Sequence, residues 1–124
     1  MIEILPMEQG ERKNEILSLV NDNEAEVLML ADGNEEIGYV AVKVIGSTLY
    51  YLNFEINNSE MMMPFEKEFY LDALMRAGAS YGENRKADSL ETVNNKYNDF
   101  LKKKGFKTDF SHAFAPMSLI VHYE

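Results

Sequence analysis

The feature that most constrains this chain is residues 49–87, where an alternating segment leads through a glycine-free loop into the longest helical pattern. Residues 49–56 alternate as a half-buried strand, residues 57–65 break the alternation, and residues 66–85 carry apolar side chains at helical spacing. A strand, a loop and a helix N-terminus in that order leave unpaired backbone N–H groups pointing into solvent, and such places often hold an anion or a cofactor. The rest of the chain reads as the frame around this unit.

Upstream, residues 1–5 read as a short edge strand ended by Pro6, which offers no N–H to a ladder. Residues 11–20 place Ile16, Leu19 and Val20 on one helical face, and Asn21, Asp22 and Asn23 stop the helix. Residues 27–31 form a compact apolar run that meets Asp32, Gly33 and Asn34, the composition of a tight hairpin turn. Residues 37–45 then set Val40, Val42 and Val44 on one face, and Gly46 and Ser47 turn the chain into residues 49–56. There, Tyr50, Leu52, Phe54 and Ile56 are expected on one face, with Tyr51, Asn53 and Glu55 on the other. These three strands read as an antiparallel meander.

Downstream, Pro64 suits a first helical turn, and Tyr70, Leu74, Ala77 and Tyr81 form the expected packing stripe, with Ala73 and Gly78 beside it. Gly78 and Gly82 each cost a helix about 1 kcal/mol against alanine, so close approach to a sheet explains them. Residues 88–93 can pair parallel to residues 49–56 through a right-handed crossover. Asn94 or Asn95 can cap a further helix whose Tyr97, Phe100 and Leu101 face inward. Lys102, Lys103 and Lys104 complement the end of that helix, and Gly105 supplies its left-handed cap. Residues 106–110 and 117–123 are expected as two last strands joined across residues 111–116. The expectation is an α/β (α+β) fold: a mixed, mostly antiparallel twisted sheet with about three helices, in the order β-α-β-β-β-α-β-α-β-β.

With 124 residues, 46% of them hydrophobic, the chain suits one domain. No apolar run approaches the roughly 18 residues that cross a bilayer, and residues 1–10 are acidic rather than basic and then apolar, which reads as no signal peptide and no membrane partner. Without cysteine there is no disulfide framework or thiolate nucleophile, and the cytoplasm is the default location. A net charge of -9 argues against nucleic acid as a partner, because that affinity comes from Lys and Arg. The same charge suits a cationic substrate, although it also simply keeps a small protein soluble. His112 and His122 have no patterned ligands near them, so no metal site is expected.

The order of elements, with a meander, a central helix, a parallel strand and Val93, Asn94, Lys104, Gly105 and Phe106 in place, resembles the GNAT superfamily of acetyl-CoA-dependent N-acetyltransferases. The hairpin at residues 31–40 is similar to the one before that family's cofactor strand. The likeness covers the chain well from Val27 onward; before it the family usually has two helices, and this chain has room for one.

The resemblance implies that residues 49–56 splay from their parallel neighbour and that the pantetheine arm of acetyl-CoA lies in the gap against strand backbone. Phe54, Glu55 and Ile56 stand at the matching positions, and Phe54, Ile56 and Asn94 are the implied cofactor contacts. The family's diphosphate loop, Arg/Gln-x-x-Gly-x-Gly/Ala, is replaced by residues 57–68, and no glycine occurs between Gly46 and Gly78. Glu66 and Glu68 in the expected first turn would themselves satisfy the helix end, with Lys67 a small offset, so this is a degenerate phosphate loop.

Amine acylation needs a general base, and Glu55 is the one candidate, although a strand glutamate is commonly just solvated. At the position of the family's tyrosine acid stands Leu101, and Tyr97, one turn earlier, reads as core packing. Met61, Met62 and Met63 could form an adaptable apolar surface or fill irregular gaps. Three functions follow: an acyltransferase acting on a small amine through acetyl-CoA, a non-catalytic ligand- or protein-binding domain of the same fold, and a module for homodimerisation or regulation with no small-molecule site.

Overall fold

The computed structural model of the chain describes residues 2–92, 96–109 and 112–121. Its strands are β1 (Ile2–Pro6), β2 (Glu26–Asp32), β3 (Glu35–Ile45), β4 (Thr48–Ile56), β5 (Ser89–Thr92), β6 (Lys107–Asp109) and β7 (His112–Pro116). They form one sheet in the order β1-β2-β3-β4-β5-β7-β6. The helices are α1 (Glu11–Leu19), α2 (Pro64–Glu83) and α3 (Asn98–Lys103), which gives the expected chain order. β4 and β5 run parallel, and the other neighbouring strands are antiparallel.

Local chemistry sets these connections. Gly33 and Gly46 close the two hairpins with φ of +62° and +61°, left-handed angles at which a side chain would be strained. A parallel partner for β4 cannot be reached by a tight turn, and α2 makes the crossover. Ser47 then fixes the arrival of β5, its carbonyl accepting from the N–H groups of Asp88 at 2.8 Å and Ser89 at 3.2 Å.

Two cores lie on opposite faces of the sheet. On one, Leu28, Val40, Leu49, Tyr51, Phe54 and Ile56 pack against α2 and against Phe100 and Leu101 of α3. On the other, Ile16 and Leu17 of α1 cover Val27, Tyr39 and Ala41, with Leu52 at the margin. α1 therefore shields β2, β3 and part of β4, and its cluster includes no residue of β5, β6 or β7.

α2 sits close to the sheet because of its glycines. A Cβ on Gly78 would fall 2.6 Å from Cε1 of Tyr51, and one on Gly82 would fall 2.8 Å from Cβ of Leu49. The Tyr51 hydroxyl donates to the Met75 carbonyl at 2.7 Å, tying strand to helix. The buried line on α2 thus runs through Leu71, Leu74, Met75, Gly78, Ala79 and Gly82. That corrects the expected stripe: Tyr70, Ala77 and Tyr81 flank this line, half-buried, because the sheet lies against the glycines and leaves no room for bulk.

Three further expectations are corrected. On α1 the inward positions are Lys13, Ile16 and Leu17, while Leu19 is 72% exposed. The buried lysine, paired with Glu26 at 3.2 Å, disguised that face. On β4 the strict alternation fails, because Asn53 opposes Ala41 while Tyr51 opposes Val42, so Leu52 is an extra residue. Leu49, Tyr51, Phe54 and Ile56 consequently all reach the α2 core.

The last strand is His112–Pro116, inside the expected connection, and Met117–Leu119 is a 3₁₀ turn rather than strand. Ala113 and Ala115 are buried there between exposed His112, Phe114 and Pro116, a period-2 pattern whose small members fit the same core as Phe100, Leu101 and Phe106. Phe110, His122 and Tyr123 lie outside the described residues.

Candidate functional site

The centre of interest is β4 where its described pairing with β5 ends. Their pairing runs from Thr48 and Ser89 to Tyr51 and Thr92. The buried Thr92 hydroxyl donates to the Tyr51 carbonyl at 2.9 Å on that last rung. Beyond it β4 continues through Ile56, paired with β3, and among the described residues it has no β5 partner. The extra residue Leu52 lies just past the rung, and a bulge there bends the strand and adds twist. A free strand edge offers alternating N–H and C=O groups, a template for an amide-bearing ligand.

Phe54 and Ile56 contribute backbone to that edge, because their side chains are buried beneath α2. Phe54 stacks on Tyr51, with centroids 5.0 Å apart, and meets Tyr97 edge-on at 6.3 Å. Tyr97 is thus part of the core at the start of α3, in line with the reading from sequence. Asn94, the third implied contact, lies outside the described residues.

Glu55 alternates with these two and points to the opposite face, its side chain 36% exposed. Nζ of Lys96 stands 3.4 Å from each carboxylate oxygen, an ion pair too long for a strong hydrogen bond. The Lys96 ammonium is held above the usual lysine range: burial works against this, and Tyr97 and Glu55 outweigh it. Nearby, Asn53 Nδ2 donates to the Tyr39 hydroxyl at 3.1 Å. Burial pushes the Tyr39 phenol upward, with the Asn53 bond opposing, so it stays protonated at neutral pH. A carboxylate, an ammonium and a protonated phenol thus collect on one side of the free edge.

The loop after β4 is built differently from a phosphate cradle. Asn57 is tied to β3, its backbone N–H donating to Ile37 at 2.8 Å and its Nδ2 to the Glu36 carboxylate at 2.8 Å. Arg12 grips the same carboxylate with Nε at 3.0 Å and Nη2 at 2.8 Å. The Arg12 bonds hold the Glu36 carboxyl below its usual range against the opposing effect of burial, and Asn57 adds to the lowering. Asn58 then takes a left-handed φ of 56° into a 3₁₀ turn, Ser59–Met61.

At the start of α2, Glu66 turns back toward the Met63 N–H, 3.4 Å away. Pro64 has no N–H to offer, and Glu66 places negative charge in the first turn. Two lysines of α3 are engaged here: Lys103 pairs with Glu68 at 2.9 Å and Lys104 with Asp72 at 3.1 Å, linking α3 to α2. Met61, Met63, Phe65 and Phe69 are exposed around this helix end, with Met61 at 83% and Phe65 at 71%. A proline without an N–H and a glutamate in the first turn disfavour an anion at this helix end.

Sequence reading missed Tyr39, Asn53 and Thr92, and the network of Arg12, Glu36 and Asn57. Thr92 carried a signal, a hydroxyl in an otherwise core-forming strand end; Arg12 and Glu36 are 24 positions apart and carried none.

No family model and no curated protein matches the sequence. Solved structures do match. The ribosomal-protein-S18-alanine N-acetyltransferase of Escherichia coli superposes with a TM-score of 0.65 at 11% identity, covering 94% of each chain. The fold is that of the GNAT acetyltransferases. A Desulfovibrio desulfuricans protein assigned to the GNAT family gives 0.67 at 8% identity over 94% of this chain and 99% of its own. A Bacillus subtilis acetyltransferase solved with CoA gives 0.64 at 16% identity over 88% and 78%. No helix among the described residues is long and apolar enough to cross a membrane.

Proposed function

We propose that this is a GNAT-like acyltransferase domain that takes acetyl-CoA by its acyl and pantetheine end along the free edge of β4 and acylates a small amine. The observation that carries this reading is the parallel register of β4 with β5 from Thr48 to Tyr51, with β4 running on through Glu55. Acetyl-CoA, when bound, supplies the activated thioester. Backbone groups at Phe54 and Ile56 would align the arm, and Glu55 would accept the proton that the amine gives up. Lys96 keeps its charge at neutral pH and steadies that carboxylate. The acidic chain favours a cationic acceptor.

The nucleotide end has no cradle, so affinity rests on the strand edge. The test is thiol release from acetyl-CoA in the presence of primary amines. Glu55→Gln is expected to lose most turnover, by roughly a hundredfold or more, while affinity holds. Unchanged turnover would remove Glu55 from the role.

A second reading is favoured by the exposed Met61, Met63, Phe65 and Phe69: a non-catalytic domain of the same fold that binds a ligand or protein through this surface. It predicts no thiol release with any amine and no binding of acetyl-CoA at millimolar ligand.

A further inference from the structure

The face of the sheet that α1 leaves bare carries a regular row. Glu91 on β5 and Lys107 on β6 are both register partners of Phe114 on β7, one on each side of it. Directly opposed residues share a face, so a carboxylate, an aromatic ring and an ammonium stand in line across three strands. Tyr50 extends the row on β4 as the partner of Glu91. Phe114 is 41% exposed, and neither Glu91 nor Lys107 has an ion-pair partner among the described residues. Beside the ring lies a hollow of about 420 Å³ lined by Ser89, Glu91, Gly105, Lys107, Phe114 and Pro116.

This arrangement is self-complementary. Consider a second copy laid face to face on the first, about a two-fold axis running along β7 above Phe114. The rotation exchanges the two sides of the strand, so each copy's Glu91 comes over the partner's Lys107, and the two Phe114 rings meet on the axis. An axis perpendicular to the strands would set lysine on lysine. A two-fold interface must be complementary to itself, and a central aromatic flanked by opposite charges meets that requirement.

We infer that the bare face of β5, β7 and β6 is the seat of a two-fold dimer, closed by Phe114 and by reciprocal pairing of Glu91 with Lys107. The overlap of the two copies covers β5, β7 and β6, three strands at about 4.8 Å spacing and roughly 10 Å across. It is smaller than the roughly 800 Å² that each partner buries in a long-lived complex, so the dimer exchanges with monomer and depends on concentration.

Sedimentation equilibrium of the whole chain from micromolar to millimolar concentration tests the inference. Wild type is expected to rise from the mass of one chain toward that of two. Glu91→Lys alone sets lysine over lysine, and Lys107→Glu alone sets glutamate over glutamate, so each single variant should associate at least about tenfold more weakly. An equal mixture of the two single variants restores opposite charges at both contacts and should recover association, as should the double reversal. Both positions are at the surface, and the recovered mixture shows that the singles fold. A wild-type chain that stays monomeric to millimolar concentration overturns the inference. So does association indifferent to the reversals, a mixture no tighter than its components, or a monomer that instead binds a simple alkylammonium ion at Glu91.

Discussion

Thr92 donates its hydroxyl to the Tyr51 carbonyl at 2.9 Å, on the last described rung of β4 and β5. Both residues are fully buried, so this bond lies where water cannot replace it. Thr92→Val keeps the shape and removes the donor, and it should cost about 0.5–1.5 kcal/mol, the net worth of one hydrogen bond. Urea unfolding measures that loss, with Thr92→Ser expected to retain most of the stability; equal loss in both variants would mean that packing rather than the bond matters.

Gly78 and Gly82 should resist substitution for a reason that helix propensity alone would get backwards. Alanine favours an exposed helix by about 1 kcal/mol over glycine. Here the added carbon would meet the Tyr51 ring at 2.6 Å or Leu49 Cβ at 2.8 Å, and overpacking of this kind costs about 1–3 kcal/mol. Gly78→Ala and Gly82→Ala are therefore expected to lower the urea midpoint. Either variant coming out more stable than wild type would contradict the close seating of α2.

The Arg12 and Glu36 pair makes an acid-sensitive tie between α1 and the β4 loop. Hydrogen bonds from Arg12 hold the Glu36 carboxyl below its ordinary value of 4.5, against burial. A carboxylate lowered in the folded state contributes stability that is full above the unfolded value and is lost as pH falls through the folded one. Stability should therefore decline below about pH 4.5, and Glu36→Gln should be less stable at neutral pH and flatter through that window. Unfolding curves from pH 3 to pH 7 check this, and parallel pH profiles for wild type and variant would refute it.

Much of the fold was legible because local rules agreed with the final packing. Gly33, Gly46 and Gly105 marked turns that the structure places at positive φ, and the meander, crossover and parallel strand followed from them. What escaped was decided by long-range contact. The bulge at Leu52 depends on how β4 meets β3, and the choice of His112–Pro116 over later residues depends on the core under α3. Phe114 and Val121 looked alike as apolar residues, and only the sheet decides which is paired.

The candidate site was half legible. Phe54, Glu55 and Ile56 read as strand residues from their alternation, their place at the cofactor strand came from the family resemblance, and the structure puts Glu55 beside Lys96 at 3.4 Å. Tyr39 and Asn53 come together diagonally across β3 and β4, a contact set by the register between two strands.

The exposed side chains around the α2 start should be removable without harm to the fold. Phe65 and Phe69 are 71% and 62% exposed, and Phe65→Ser with Phe69→Ser should change stability by no more than about 0.5 kcal/mol each. Thermal melts test this. A loss of several degrees would mean that the rings pack in solution on a surface that the fold does not contain.

The most direct test of the proposed function is a pair of calorimetric titrations, one with acetyl-CoA and one with S-acetyl-pantetheine, which lacks the nucleotide. If the β4 edge holds the acyl arm while the loop at residues 57–68 holds no diphosphate, both ligands bind, with affinities within about tenfold of each other. Silence from both at millimolar ligand, or binding that vanishes with the nucleotide, would contradict it.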